Sequence, residues 1–321
     1  MAALPSAVEA RDVPVVAYGD LAAQKDLSAE VEQAFGREGL GVLAVSGVPE
    51  LDARRSELLP LAFAFAQLPD AAKARCELPE AFYSFGWSHG KEKLQGQPDV
   101  AKGSYYNNPE VNDLGGGDQQ LVDRFPSFYH ANIWPRGAAA AAAGRLLHYF
   151  ALTEEQIAAQ SEAATLEDSF AWCGWHNDHG ALTGLVQAMF TDSTGAAVPN
   201  PDPQAGLYVK NRRGEILKAN IPPGHLVYQI GETSQILSGG TLQATPHAVR
   251  GPQVTGVNRE TLAVFMQPLP QERMAVPPGS LDPLEAGKTE NLPKGVPPLL
   301  SRWHNGMSYD DFTQATHKAY Y

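Results

Sequence analysis

Five short apolar runs in the second half of the chain constrain its fold more than any other feature. "GLYVKN", "EILKAN", "HLVYQIG", "TLQATPHAV" and "TLAVFMQP" read as strands, and "NRRG", "PPG" and "SGG" stand among them as turns. An array of this kind closes on itself as a β-sandwich or barrel. The 30 glycines and 25 prolines of the chain favour turns and strands over long helices.

The first half reads differently. "VPVVAYGDL" (Val13 to Leu21) is a short strand with a turn, and "SAEVEQAFGREG" is a helix with Ser28 as its N-cap. "LGVLAVSGVP" is a buried strand, Leu51 to Phe65 a second helix, and "LPDAAKARCEL" the start of another capped by Asp70. Ala81 to Asp123 lacks sustained periodicity and holds Tyr83, Phe85, Trp87, Tyr105 and Tyr106 among Gly, Asn and Gln. This segment is expected to be an irregular lid, its aromatics either pinning a loop or touching substrate. "RGAAAAAAGRLLHYF" (Arg136 to Phe150) is open between a helix by alanine propensity and a helix stopped at Gly144 with "RLLHYF" as a strand. "GMSYDDFTQATHKAYY" closes the chain as a helix. Neither repeat nor linker is visible, so one structural domain is expected.

A hydrophobic content of 43% suffices for a sizeable core. The formal charge of −12, with no Lys/Arg-rich stripe, would repel a phosphate backbone, so no nucleic-acid partner is expected. No apolar run reaches membrane-spanning length, and the N-terminus lacks a secretory apolar stretch. Cys76 and Cys173 give neither a disulfide framework nor zinc spacing, which suits a reducing compartment. The expectation is a cytoplasmic protein that makes no membrane contact and acts as a monomer.

Chemistry concentrates in "GWHNDHGALTGL" (Gly174 to Leu185), which sets two histidines and an aspartate in an apolar run. Buried polar groups cost free energy unless they find partners. Fe(II) that must bind dioxygen and a co-substrate needs three protein ligands on one face, which two imidazoles and one carboxylate supply. On an extended segment His176 and Asp178 point the same way, while His179 faces elsewhere. His247 in "ATPHAV" is the best third ligand. Alone, His-x-Asp arises readily by chance, and a hydrogen-bonded core histidine explains His176 equally well. "NRETLAVFM" adds Arg259 and Thr261 on one strand face, where a guanidinium fork and a hydroxyl can grip a carboxylate, although a salt bridge would also explain Arg259 alone.

The order His176-x-Asp178, His247, Arg259-x-Thr261 resembles that of the 2-oxoglutarate/Fe(II)-dependent dioxygenases of the isopenicillin N synthase-like group. "VPVVAYGDL", "AFGREGLGVLAVSGVP" and "HNDHGALTGL" are similar to further segments of that family, and Gly174 to Pro268 is the most specific stretch. The resemblance implies a mainly β fold with flanking helices around a double-stranded β-helix, the cupin-like jelly roll. It implies an N-terminal α/β region over residues 1–135 packed on a catalytic core over 136–321. It implies Fe(II) on His176, Asp178 and His247, with O2 and 2-oxoglutarate as co-substrates. The distal carboxylate of 2-oxoglutarate is expected on Arg259 and Thr261, with Tyr149 adding a contact. The sequence departs from the pattern in Thr261 for the usual serine, in a longer hairpin at "GPQVTG", and in having only "RGAAAAAAG" where a longer helix is usual.

The implied activity couples 2-oxoglutarate decarboxylation to hydroxylation or desaturation of a small organic molecule. An oxidase that does without 2-oxoglutarate, or a non-catalytic jelly-roll binding protein, are the alternatives. Tyr105, Tyr106, Trp134, Trp172 and Phe265 are candidates for the substrate wall, each of which would serve equally as core.

Overall fold

The computed structural model describes residues 8–94, 97–135, 144–280 and 282–320. The alanine run at 136–143 lies outside the described residues, whereas Gly144–Tyr149 after it is a strand, as the reading with a stop at Gly144 requires.

Among the described residues, fifteen strands make two large sheets. In chain order they are β1 (Ala10–Asp12), β2 (Val15–Ala17), β3 (Val42–Ser46), β4 (Gly86–His89), β5 (Lys102–Asn107), β6 (Gly144–Tyr149), β7 (Cys173–His176) and β8 (Leu182–Val186). There follow β9 (Met189–Thr191), β10 (Ala197–Val198), β11 (Gly206–Lys210), β12 (Ile216–Asn220), β13 (Leu226–Ile230), β14 (His247–Arg250) and β15 (Asn258–Met266). One sheet runs β1-β12-β11-β14-β7. The other runs β2-β3-β13-β8-β15-β6-β5-β4, with β9 on β15 and β10 on β9. The fold is the expected jelly roll, and each of the sequence's five strand runs holds a strand of it, although "TLQATPHAV" becomes one only at His247.

Its core lies between the sheets, where Leu147, Tyr149, Trp172, Leu207, Val209, Val227, Val249 and Ala263 form one buried cluster. Alternation explains it: in β6, Leu147 and Tyr149 face this core, while the His148 between them turns to the opposite face and the carboxylate of Glu260. A separate cluster packs Ala34 and Phe35 of the helix Ser28–Phe35 on Leu43 and Val45 of β3.

Several expectations need correction. The segment from Ala81 to Asp123 is not wholly irregular, because β4 and β5 pair within it and extend the larger sheet through β6. Their sequences, "GWSH" and "KGSYYN", bury Ser88, Lys102 and Ser104, so apolar alternation is absent. Gly103 permits the pairing: a Cβ there would sit 2.2 Å from the Trp87 ring. Leu51 to Phe65 is two helices, Leu51–Leu58 and Pro60–Ala66, since Pro60 opens the second. Ser28 is the first helical residue rather than the cap; the Asp26 carboxylate accepts from its N–H at 3.0 Å and its hydroxyl at 2.6 Å.

Residues before 135 supply strands to both sheets. β1 runs parallel to β12, and β2 runs parallel to β3. Among the described residues no helix is long and apolar enough to cross a membrane.

Candidate active site

β7 and β14 are neighbours, and their register sets His176 opposite His247. The two ring centroids are 4.1 Å apart. Strand β7 ends at His176, so Asp178 stands on the following loop rather than on the strand, and its Oδ1 is 3.9 Å from His247 Nε2. One ligand atom from each of the three residues lies within 4.8 Å of the others, close enough to share a metal ion. His179 turns away and stacks on Tyr309 at 5.9 Å.

Each of the three is held from behind. His176 Nδ1 lies 2.8 Å from the Gly174 carbonyl, which leaves Nε2 for the centre. His247 Nδ1 lies 3.4 Å from the Thr245 carbonyl. The Thr183 hydroxyl donates to Asp178 Oδ2. Burial lowers the pKa of both imidazoles, His247 to about 3 with His176 adding to the effect, so both are neutral and able to ligate. Burial alone would raise the Asp178 carboxyl, but His247, His176 and Thr183 together hold it below the usual carboxylate value.

The loop after His176 is clamped by the start of the helix Glu232–Leu237. The N–H groups of Gly231, Glu232 and Thr233 donate to the carbonyls of Ala181, Asp178 and Gly180 at 2.9, 2.8 and 3.1 Å. Glu232 in turn accepts from Arg302 at 2.6 Å and from the Asn177 amide at 3.1 Å, all within the protein interior. Arg302 donates to Thr316 of the helix Tyr309–Tyr320 at 2.8 Å. Gly231 allows this close approach, because a Cβ there would meet the Gly180 carbonyl oxygen at 2.1 Å. Gly231→Ala is therefore expected to displace the Asp178 loop and to cost about 1–3 kcal/mol in stability. Denaturant unfolding checks this; an unchanged midpoint would show that the loop yields freely.

Two cavities meet at the triad. The first, about 620 Å³, runs between the sheets and is lined by Arg259, Thr261 and Tyr149. β15 and β6 pair Arg259 with Tyr149, and the guanidinium lies 4.8 Å from that ring's centroid. Arg259 Nη1 is buried with no hydrogen-bond partner among the described residues. An orphaned guanidinium nitrogen at the end of a cavity that begins at two histidines and an aspartate fits a carboxylate reaching in from a metal. The Thr261 hydroxyl donates to the Val186 carbonyl at 3.1 Å and retains its lone pairs.

The second cavity, about 580 Å³, lies under the segment 82–129 and the C-terminal helix, and Tyr106 and Phe265 line it. Tyr105, Trp134 and Trp172 line neither cavity. Tyr105 is buried against Phe65 with its hydroxyl on the Ile133 carbonyl at 2.7 Å, because alternation along β5 turns it away from Tyr106. Trp134 packs with Tyr105, and Trp172 is wholly buried in the core between the sheets. Sequence reasoning missed Glu92, Lys102, Arg145, Glu232 and Arg302. Arg145 and Glu232 find their partners Glu92 and Arg302 more than 50 residues away, and the nearer Glu92–Lys102 and Lys102–Asp99 pairs follow no strand or helix period that marks them as part of a site.

A jelly roll that brings two histidines and a carboxylate to one point defines the class of metal-dependent oxygenases with a facial triad. Residues 174–268 match the model of the 2OG-Fe(II) oxygenase superfamily, the stretch that carries the triad, Arg259 and Thr261. Scopoletin 8-hydroxylase of Arabidopsis thaliana is 37% identical over 103 residues, which span 32% of this chain and 24% of that protein. A full-length Neurospora crassa protein in complex with alpha-KG and 5-formyluracil has a similar fold, with TM-score 0.63, 18% identity and 96% of each chain covered. A 2OG-Fe(II) oxygenase family protein from Caulobacter crescentus superposes with TM-score 0.60 at 19% identity, over 97% of this chain and 99% of that one.

Proposed function

We propose that the chain couples decarboxylation of 2-oxoglutarate to oxidation of a small organic molecule, with Fe(II) held by His176, Asp178 and His247. The observation that carries this reading is the buried, unpartnered Nη1 of Arg259, in a cavity that opens on the triad. An oxidase that uses no 2-oxoglutarate would have to give that nitrogen to a carboxylate of its substrate, and 2-oxoglutarate turnover separates the two. Fe(II) bound there supplies the activation of O2 and the oxidising power. The chain's own residues do the rest. Arg259 and Thr261 anchor the distal carboxylate of 2-oxoglutarate, Tyr149 supports the guanidinium, and the apolar walls of Leu147, Leu185 and Phe190 keep water out. The small-molecule class of substrate suits the second cavity's size. The charge of −12 disfavours nucleic acid, and two buried, unbridged cysteines suit a reducing, cytoplasmic setting for a monomer.

Arg259→Lys is expected to raise the apparent KM for 2-oxoglutarate by at least about tenfold while iron content is unchanged, because an ammonium cannot fork onto a carboxylate. Succinate release against 2-oxoglutarate concentration measures this. Saturation at the wild-type concentration would place the anchor elsewhere.

A further inference from the structure

The two cavities share His176, Asp178, Arg145 and Phe265, yet their charges are opposite. Arg55, Lys102, Arg145, Lys218 and Arg259 line the first, against one acid, Asp178. The second has Glu92, Glu110 and Asp178, against one Lys or Arg among the described residues, Arg145. That one cation is already taken. Arg145 Nη2 lies 3.1 Å from Glu92 Oε1, which also accepts from the Tyr106 hydroxyl at 2.9 Å. Behind them Lys102 sits 3.3 Å from Glu92 and 2.8 Å from Asp99. All four charged side chains are largely buried, and two cations face two acids.

We propose that the second cavity is the substrate chamber, that it takes a ring-bearing molecule with no anionic group, and that Glu92 is the residue that excludes anions from it. This deepens the reading of the first cavity as the 2-oxoglutarate site and rests on it. Like charges brought together away from water repel strongly, so a carboxylate entering the chamber meets Glu92 where it needs a free cation. Without Glu92, Arg145 would offer one. The pair therefore sorts the two organic ligands: the dianion goes to the first cavity, where Arg259 Nη1 has no hydrogen-bond partner among the described residues, and the ring without an anionic group to the second. A ring suits the junction, because Tyr106 and Phe265 flank the Arg145 guanidinium at 4.6 and 5.6 Å and leave flat apolar surface beside the triad.

The test measures dissociation constants by calorimetry on the Fe(II)-loaded protein with 2-oxoglutarate, under nitrogen so that nothing turns over. The probes are benzamide and benzoate, one ring in two charge states. Benzamide is expected to bind, with benzoate weaker by at least about tenfold. Glu92→Gln is expected to cut that ratio to about twofold or reverse it, and Glu92→Gln/Arg145→Gln, which loses the repelling carboxylate and the cation together, to leave it between those two values. If the single variant does not fold, the wild type and the charge-balanced double variant decide. Benzoate binding as tightly as benzamide, no probe binding, an unchanged ratio in Glu92→Gln, or a double-variant ratio equal to the wild type's would overturn the proposal. 2-Oxoglutarate is titrated separately into wild type and Arg259→Lys. Equal affinities there, with the ring preference intact, would sink the reading of the first cavity and leave this one standing.

Discussion

Asp178→Ala is expected to abolish stoichiometric Fe(II) binding, with an affinity loss of at least about 100-fold. Loss of a group that merely supports a ligand already costs about 10–100-fold, and among the described residues Asp178 is the one carboxylate grouped with both His176 and His247. The fold should survive. The substitution removes a side chain from a loop whose backbone stays tied, since the Asp178 carbonyl still accepts from Glu232 N–H at 2.8 Å. Thr183 loses its acceptor but sits at the cavity wall, where water can replace it. The measurement is iron content after anaerobic loading and desalting, beside a circular dichroism spectrum. Full iron content in the variant would rule the assignment out.

Glu232→Ala is expected to destabilise the protein by about 3–5 kcal/mol, because it strands Arg302 as a buried charge without its carboxylate. The same substitution releases the Asn177 amide, so iron affinity should fall together with stability. Glu232→Gln/Arg302→Met, which removes both charges, should recover more than half of the loss. Urea unfolding of the three proteins checks this. A loss under about 1 kcal/mol in the single variant would show that water reaches Arg302.

Much of this site was legible in the sequence because strand periodicity is local. Arg259 and Thr261 are two residues apart on β15 and so share a face, and both line the first cavity. Tyr149, expected from family resemblance, lies directly across from Arg259. The position of Asp178 was not legible, because a strand's end is set by the hydrogen bonds that Gly231 to Thr233 make to the loop, far along the chain. The Glu92, Lys102 and Arg145 cluster was invisible for the same reason: it joins one loop residue to two strands that pair across the undescribed stretch at 136–143. β4 and β5 were misread since their buried faces carry serine and lysine, satisfied by partners that alternation cannot report.

The short parallel strands β1 and β2 have a role apart from the chemistry. Each has only three residues and borders its sheet, covering β12 and β3 respectively. An open strand edge is a template on which another molecule can add by backbone pairing. β1 is a poor template, being short and carrying the Glu9–Arg11 ion pair beside it. β3, "VLAVS", is the reverse: apolar, β-branched, uncharged and wholly dependent on its cover. Aggregation on heating should therefore begin with the peeling of this N-terminal cover, well before the sheets separate. A cross-link that pins β2 to β3 would delay turbidity without altering the triad.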